Sequence, residues 1–131
     1  MIDTKEMRKD LLKMALAAKS QGAHMGGSLS LVEIMAALYG GAMIFDSAAP
    51  QAEPRDRLIL SKGHGVMAQY AAMKQVGMLA EKKLLTYKAN GSPVSAHPSV
   101  NPALGIDFAS GSLGQGLSLG VGVALGLRRK G

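Results

Sequence analysis

Arg57-Leu58-Ile59-Leu60-Ser61-Lys62-Gly63-His64-Gly65 is the stretch on which the fold turns. A short, branched apolar run between turn signals reads as a buried strand of the parallel kind. The glycine-flanked histidine then leads straight into a helix predicted from Val66 to Val76, which Gly77 stops. Strand, tight turn and helix in that order indicate an α/β layered domain. In such domains ligands sit at the strand's carboxyl end, where helix-start N–H groups and the positive dipole end favour phosphate. Ser61 and Lys62 add a hydroxyl and a cation beside His64. The plainer alternative is that Gly63 and Gly65 serve only the turn.

Upstream, Met7, Leu11, Met14, Ala15 and Ala18 recur at three and four, predicting an amphipathic helix over about Asp3 to Lys19. Asp3 and Glu6 have capping-box spacing, and Gln21-Gly22 ends the helix. Ser30 and Glu33 form a second capping box, with Leu29 and Ile34 placed as its hydrophobic staple. That helix is expected to run to Gly40-Gly41. Downstream, a shorter helix near Leu79 to Lys88 stops at Asn90-Gly91. Ser92 to Asp107, with Pro93, Pro98 and Pro102, has no periodicity and reads as an ordered loop. Phe108 to Gly116 opens a last helix over Leu117 to Arg129, whose Gly116, Gly120, Gly122 and Gly126 allow a partner element to approach closely. Only one strand is convincing, so the expectation is a helix-rich domain with few parallel strands, its sheet incomplete or hidden in loops.

Composition narrows the function. The 131 residues predict one domain. A hydrophobic share of 47% against 18% charged excludes disorder. The absence of cysteine excludes disulfides, thiolate zinc sites and a cysteine nucleophile, and fits a reducing, cytoplasmic location. The net charge of +6 suits a phosphorylated ligand or nucleic acid. With two Phe, three Tyr and no Trp there is no platform for stacking bases, so nucleic acid is not expected. The longest apolar run, Leu117 to Leu127, falls short of the roughly 20 residues a bilayer requires, and no membrane association is expected.

The candidate chemistry lies in three histidines. His24, His64 and His97 all sit outside the apolar faces, each within two residues of glycine or proline, where imidazole is available for hydrogen bonding and proton transfer. No two share metal-ligand spacing, so no metal site is expected from this chain. Ser110-Gly111-Ser112-Leu113-Gly114-Gln115-Gly116 is neither the dinucleotide fingerprint nor a P-loop. It still offers bare backbone to a flat ring. No G-x-S-x-G elbow is present.

Taken together, Gly22 to Ser30, Arg57 to Gly65, Ser95-Ala96-His97-Pro98, Gly105-Ile106-Asp107 and Gly111 to Gly116 resemble, in order and spacing, the N-terminal, thiamine diphosphate-binding section of transketolase. The form is that found where transketolase is split into two subunits. The resemblance implies a partial three-layer thiamine diphosphate-binding fold, with residues 1–131 an incomplete, truncated N-terminal part of that domain. It implies that His64 contacts the cofactor diphosphate and that Gly111, Ser112 and Leu113 meet its ring system through backbone groups. His24 and His97 would act as the catalytic and substrate-binding pair, holding the donor's hydroxyls and assisting proton transfer. The implied reaction moves a two-carbon ketol unit from a ketose phosphate to an aldose acceptor, the cofactor acting as electron sink.

Two features depart from the family pattern. Ala23 and Ala96 stand where it has glycine before its histidines. The Gly-Asp-Gly metal motif and the second domain, with its activating glutamate, are expected outside these residues, so magnesium ligands are too. The chain alone is therefore expected to be inactive, working with a C-terminal transketolase section or subunit in a homo- or hetero-oligomer on sugar phosphates. The competing readings are a non-catalytic interaction module and part of a related thiamine-dependent synthase.

Overall fold

The computed structural model describes residues 1–131, and its organising element is one helix buried on all sides. That helix, α4 (Val66–Gln75), is buried without a break from Val66 to Met73. A helix apolar all round can only be stable when other elements surround it. Those elements are α1 (Thr4–Ala17), α2 (Met25–Leu29), α3 (Val32–Ala37) and the short α5 (Glu81–Leu84), all packed against α4. The sixth helix, α6 (Gln115–Lys130), has no buried residue and meets the segment before His64, its Gly116 amide donating to Ser61 Oγ (3.1 Å).

The α1 face is the one the periodicity predicts: Met7, Leu11 and Met14 are fully buried. Asp3 caps it, accepting from the amides of Lys5 (2.8 Å) and Glu6 (3.1 Å). The reciprocal capping-box bond is not made. Gln75 of α4 takes the Asp3 amide instead (2.8 Å) and donates back to the Asp3 carbonyl (2.7 Å), leaving Glu6 to pair with Lys9. One turn along, the wholly buried Asp10 receives Lys74 Nζ on both oxygens, at 3.1 and 3.0 Å. Helices α1 and α4 are thus joined by apolar packing and by a charge pair that satisfies the one buried carboxylate.

The second capping box is also absent. Ser30 Oγ donates to the Gly27 carbonyl (3.1 Å), Leu31 occupies the cap position of α3, and Glu33 pairs with Arg8 of α1. Leu29 and Ile34, expected as a staple, are both exposed. The physical reason is that Met25–Leu29 is itself helical, so α3 continues from an existing turn and Ser30 lies at the end of one helix. The continuation Leu38–Ala42 is a π-turn that buries Tyr39. Burial outweighs the hydrogen bond the Tyr39 hydroxyl accepts from Gln69 Nε2 (3.1 Å), and the hydroxyl is pushed up to about 12.

The expected strand at Arg57 to Ser61 is not one. A strand exists only by pairing, and no ladder forms anywhere; the single β-bridge joins Asn101 and Ile106. The segment is instead fixed by side chains. Ser110 Oγ donates to the Leu60 carbonyl (2.6 Å), and the Ser61 amide turns back on Ile59 (3.1 Å). The helix expected over Leu79 to Lys88 shrinks to α5, followed by a turn. Ser92 to Asp107 is an ordered loop as predicted, held by the Asn101–Ile106 bridge and a 3-10 turn at Pro102–Leu104.

Candidate functional site

Three segments with little regular structure bring the histidines together. His24 occupies the cap position of α2. His64 sits in the 3-10 turn Gly63–Gly65 that opens α4. His97 lies in the proline-bounded loop. The ring centroids of His24 and His64 are 5.4 Å apart, edge to face, and those of His24 and His97 are 6.2 Å apart. His24 and His97 are exposed and His64 is half-buried, so the cluster forms an open wall.

The glycines set how closely the segments meet. A Cβ on Gly27 would lie 2.6 Å from His64 Cδ2, and one on Gly63 would lie 2.9 Å from the Ser110 carbonyl oxygen. One on Gly116 would lie 2.4 Å from Ser61 Cβ, at the start of α6. Gly120 comes within range of Ile59, whereas Gly122 and Gly126 face open space, so only half of the expected small-residue stripe meets a partner. A Cβ on Gly111 would stand 3.8 Å from His97 Cδ2, which places the glycine segment beside the cluster. Ser112 and Leu113 follow, both exposed, and no hydrogen bond ties either to the imidazoles.

Ser110 is the joint between these pieces. Its hydroxyl holds Leu60, its amide donates to the Pro98 carbonyl next to His97 (3.2 Å), and its carbonyl abuts Gly63 next to His64. Three residues before it, Asp107 accepts both terminal nitrogens of Arg55 at 2.7 Å. That guanidinium holds the Asp107 carboxyl below its ordinary value. Lys62 Nζ donates to Ser30 Oγ (2.8 Å), tying the His64 turn to the end of α2.

The donor set fits a diphosphate-bearing ring cofactor. The Gly63 and His64 amides make no hydrogen bond within the chain, whereas those of Gly65 and Val66 close the turn on Lys62 and Gly63. Two unpartnered amides and a half-buried imidazole thus lie in the turn that opens a ten-residue helix, the kind of setting that binds phosphate. No group of three or more His, Cys, Asp or Glu side chains comes together as a candidate metal-binding set. No helix is long and apolar enough to cross a membrane.

Sequence reasoning quoted Ser110 only as the first residue of the glycine segment and gave it no role of its own. Its role depends on a contact fifty residues away in the chain, which no local spacing shows.

Comparison with known proteins is consistent with this geometry. Residues 4–130 match the family described as transketolase, thiamine diphosphate binding domain. A 6-deoxy-6-sulfo-D-fructose transketolase subunit from Clostridium sp. (strain MSTE9) is 45% identical over 105 residues, covering 80% of this chain and 38% of its own length. An apulose-4-phosphate transketolase subunit from Phocaeicola vulgatus is 36% identical over 124 residues, covering 95% of this chain and 43% of its own. The chain thus spans less than half the length of these relatives. Among solved structures, the transketolase from Leishmania mexicana superposes with a TM-score of 0.71 at 29% identity, over 95% of this chain and 19% of that one.

Proposed function

Since the chain belongs to the transketolase family through its thiamine diphosphate-binding domain, we propose that it supplies one wall of the active site of a ketol-transferring enzyme. When bound, thiamine diphosphate supplies the nucleophilic carbon and the electron sink. The observation that carries the reading is the meeting of His24, His64 and His97 beside Gly111.

In this reading the Gly63 and His64 amides and the His64 imidazole bind the diphosphate at the start of α4. Gly111, Ser112 and Leu113 meet the ring system through backbone groups. His24 and His97, exposed and about 6 Å apart, hold the hydroxyls of a donor ketose phosphate and move its protons. Magnesium would be bound by residues other than these. Turnover would require a complementary section or second polypeptide, which the relatives named as subunits support. The uncovered apolar face of α6 supports it as well.

Calorimetry with thiamine diphosphate and magnesium tests this. Millimolar or tighter binding that weakens on His64→Ala supports the cofactor role. No binding, together with clean self-association, would favour a non-catalytic interaction module.

A further inference from the structure

We propose that Lys88 is a positioning residue that holds the His24 and His97 segments at their working separation. It reaches both at once. Its Nζ donates to the carbonyls of Gln21 (3.1 Å) and Gly22 (2.8 Å), the two residues before Ala23-His24. Its backbone N–H donates to the Val94 carbonyl (3.0 Å), three residues before His97.

The backbone at Lys88 has φ of +62°, a left-handed conformation that lysine rarely adopts. Such a conformation persists where the surroundings over-determine it. Here the surroundings are identifiable. Turning the residue out of the left-handed region would withdraw either the amide from Val94 or the ammonium from Gln21 and Gly22. An ammonium donating to carbonyls also makes a stronger bond than a neutral donor. The far side of the His97 segment is anchored separately, Ser95 Oγ donating to the His97 carbonyl (2.6 Å) and lying 3.5 Å from Tyr70 Oη of α4. Lys88 is therefore the tie between the two histidine segments, and Gln21, Lys88, Ser92 and Ser95 line the open cleft between them. Its functional consequence rests on the ketol-transfer reading; its structural claim does not.

The test uses the full 131-residue chain with isotope-labelled histidine. Ring-to-ring nuclear Overhauser contacts between His24 and His97 are measured in wild type, Lys88→Arg, Lys88→Met and Lys88→Gly. The glycine variant keeps the amide and accepts positive φ, so it removes the ammonium while leaving the turn able to form. The expected result is loss of the contact in the methionine and glycine variants and its retention in the arginine variant. Affinity for thiamine diphosphate with magnesium should stay within about threefold of wild type, because the His64 turn is untouched; a misplaced His64 would cost far more. Persistence of the contact in both ammonium-free variants, or its absence in wild type, would overturn the proposal. A wild-type chain that shows the contact but binds no thiamine diphosphate would overturn the ketol-transfer reading alone.

Discussion

Gly27→Ala separates the folding of this chain from the geometry of its site. Gly27 lies within α2, where alanine is favoured over glycine by about 1 kcal/mol. The added Cβ would stand 2.6 Å from His64 Cδ2 and 2.9 Å from Nε2, where a relaxed contact needs about 3.5–4.0 Å. Because the obstacle is the far end of a side chain, the ring gives way by about 1 Å and the helix stays. Holding the imidazole away from its rotamer costs about 0.5–1.5 kcal/mol, which the helix propensity roughly offsets. The thermal midpoint is therefore expected to move by only a few degrees. Affinity for thiamine diphosphate should fall by about ten- to a hundredfold, since a positioned group displaced by about 1 Å loses that much. Calorimetry with magnesium present reads the affinity, and scanning fluorimetry reads the midpoint. Unchanged affinity would remove His64 from the diphosphate site. A midpoint lowered by more than about 10 °C would show that the ring does not absorb the clash.

Asp107→Asn removes the bidentate pair with Arg55, whose side chains are 17% and 6% exposed, and should cost about 1–3 kcal/mol in urea unfolding. Arg55 holds the Asp107 carboxyl below its ordinary value of 3.8, so this contribution is complete above that pH and fades as pH falls through the lower folded value. Stability measured from pH 6 down to pH 2 should accordingly fall less in the asparagine variant, once the loss at neutral pH is subtracted. Asp10→Asn strands Lys74 against a buried neutral amide and should cost about 3–5 kcal/mol, read by the same unfolding curves; pairing it with Lys74→Met should recover part of that loss. Leu117→Lys, on the outer face of α6, should change the stability of the isolated chain by no more than about 0.5 kcal/mol, whereas a complementary section that covers α6 should bind the variant less well in a pull-down titration.

What was legible in the sequence is what short-range physics decides. The α1 face follows from apolar residues at three and four, and the Asp3 cap from a carboxylate just ahead of them. The run Val66 to Val76 announced α4 to within a residue, with Gly77 in the left-handed region as its stop. The three histidines were legible as a set because each stands outside an apolar face. Other features could not be read that way. Arg57 to Ser61 has the composition of a strand, but pairing depends on a neighbouring strand, and none lies beside it. Ser30 and Glu33 have capping-box spacing, yet the helical turn at Met25–Leu29 and the reach of Arg8 from α1 gave both side chains other partners. Lys88 carries no local signal, because the two bonds of its ammonium run to residues that only the folded chain brings near.

In a layered α/β protein a sheet normally fixes the loops at its carboxyl edge. Within these residues no ladder forms, and the loops are held by single polar ties: Ser110 to Leu60 and Pro98, Lys62 to Ser30, Lys88 to Gln21, Gly22 and Val94. Each tie is worth only about 1–3 kcal/mol, so no one of them should be needed for folding around the buried α4. Each nevertheless has an end within three residues of a histidine or of Gly111, and a ring displaced by about 1 Å is enough to impair a site. Variants of Ser110, Lys62 and Lys88 should therefore cost more in ligand binding or ring placement than in stability. Variants of Met7, Met67 or Met73, fully buried around α4, should show the reverse.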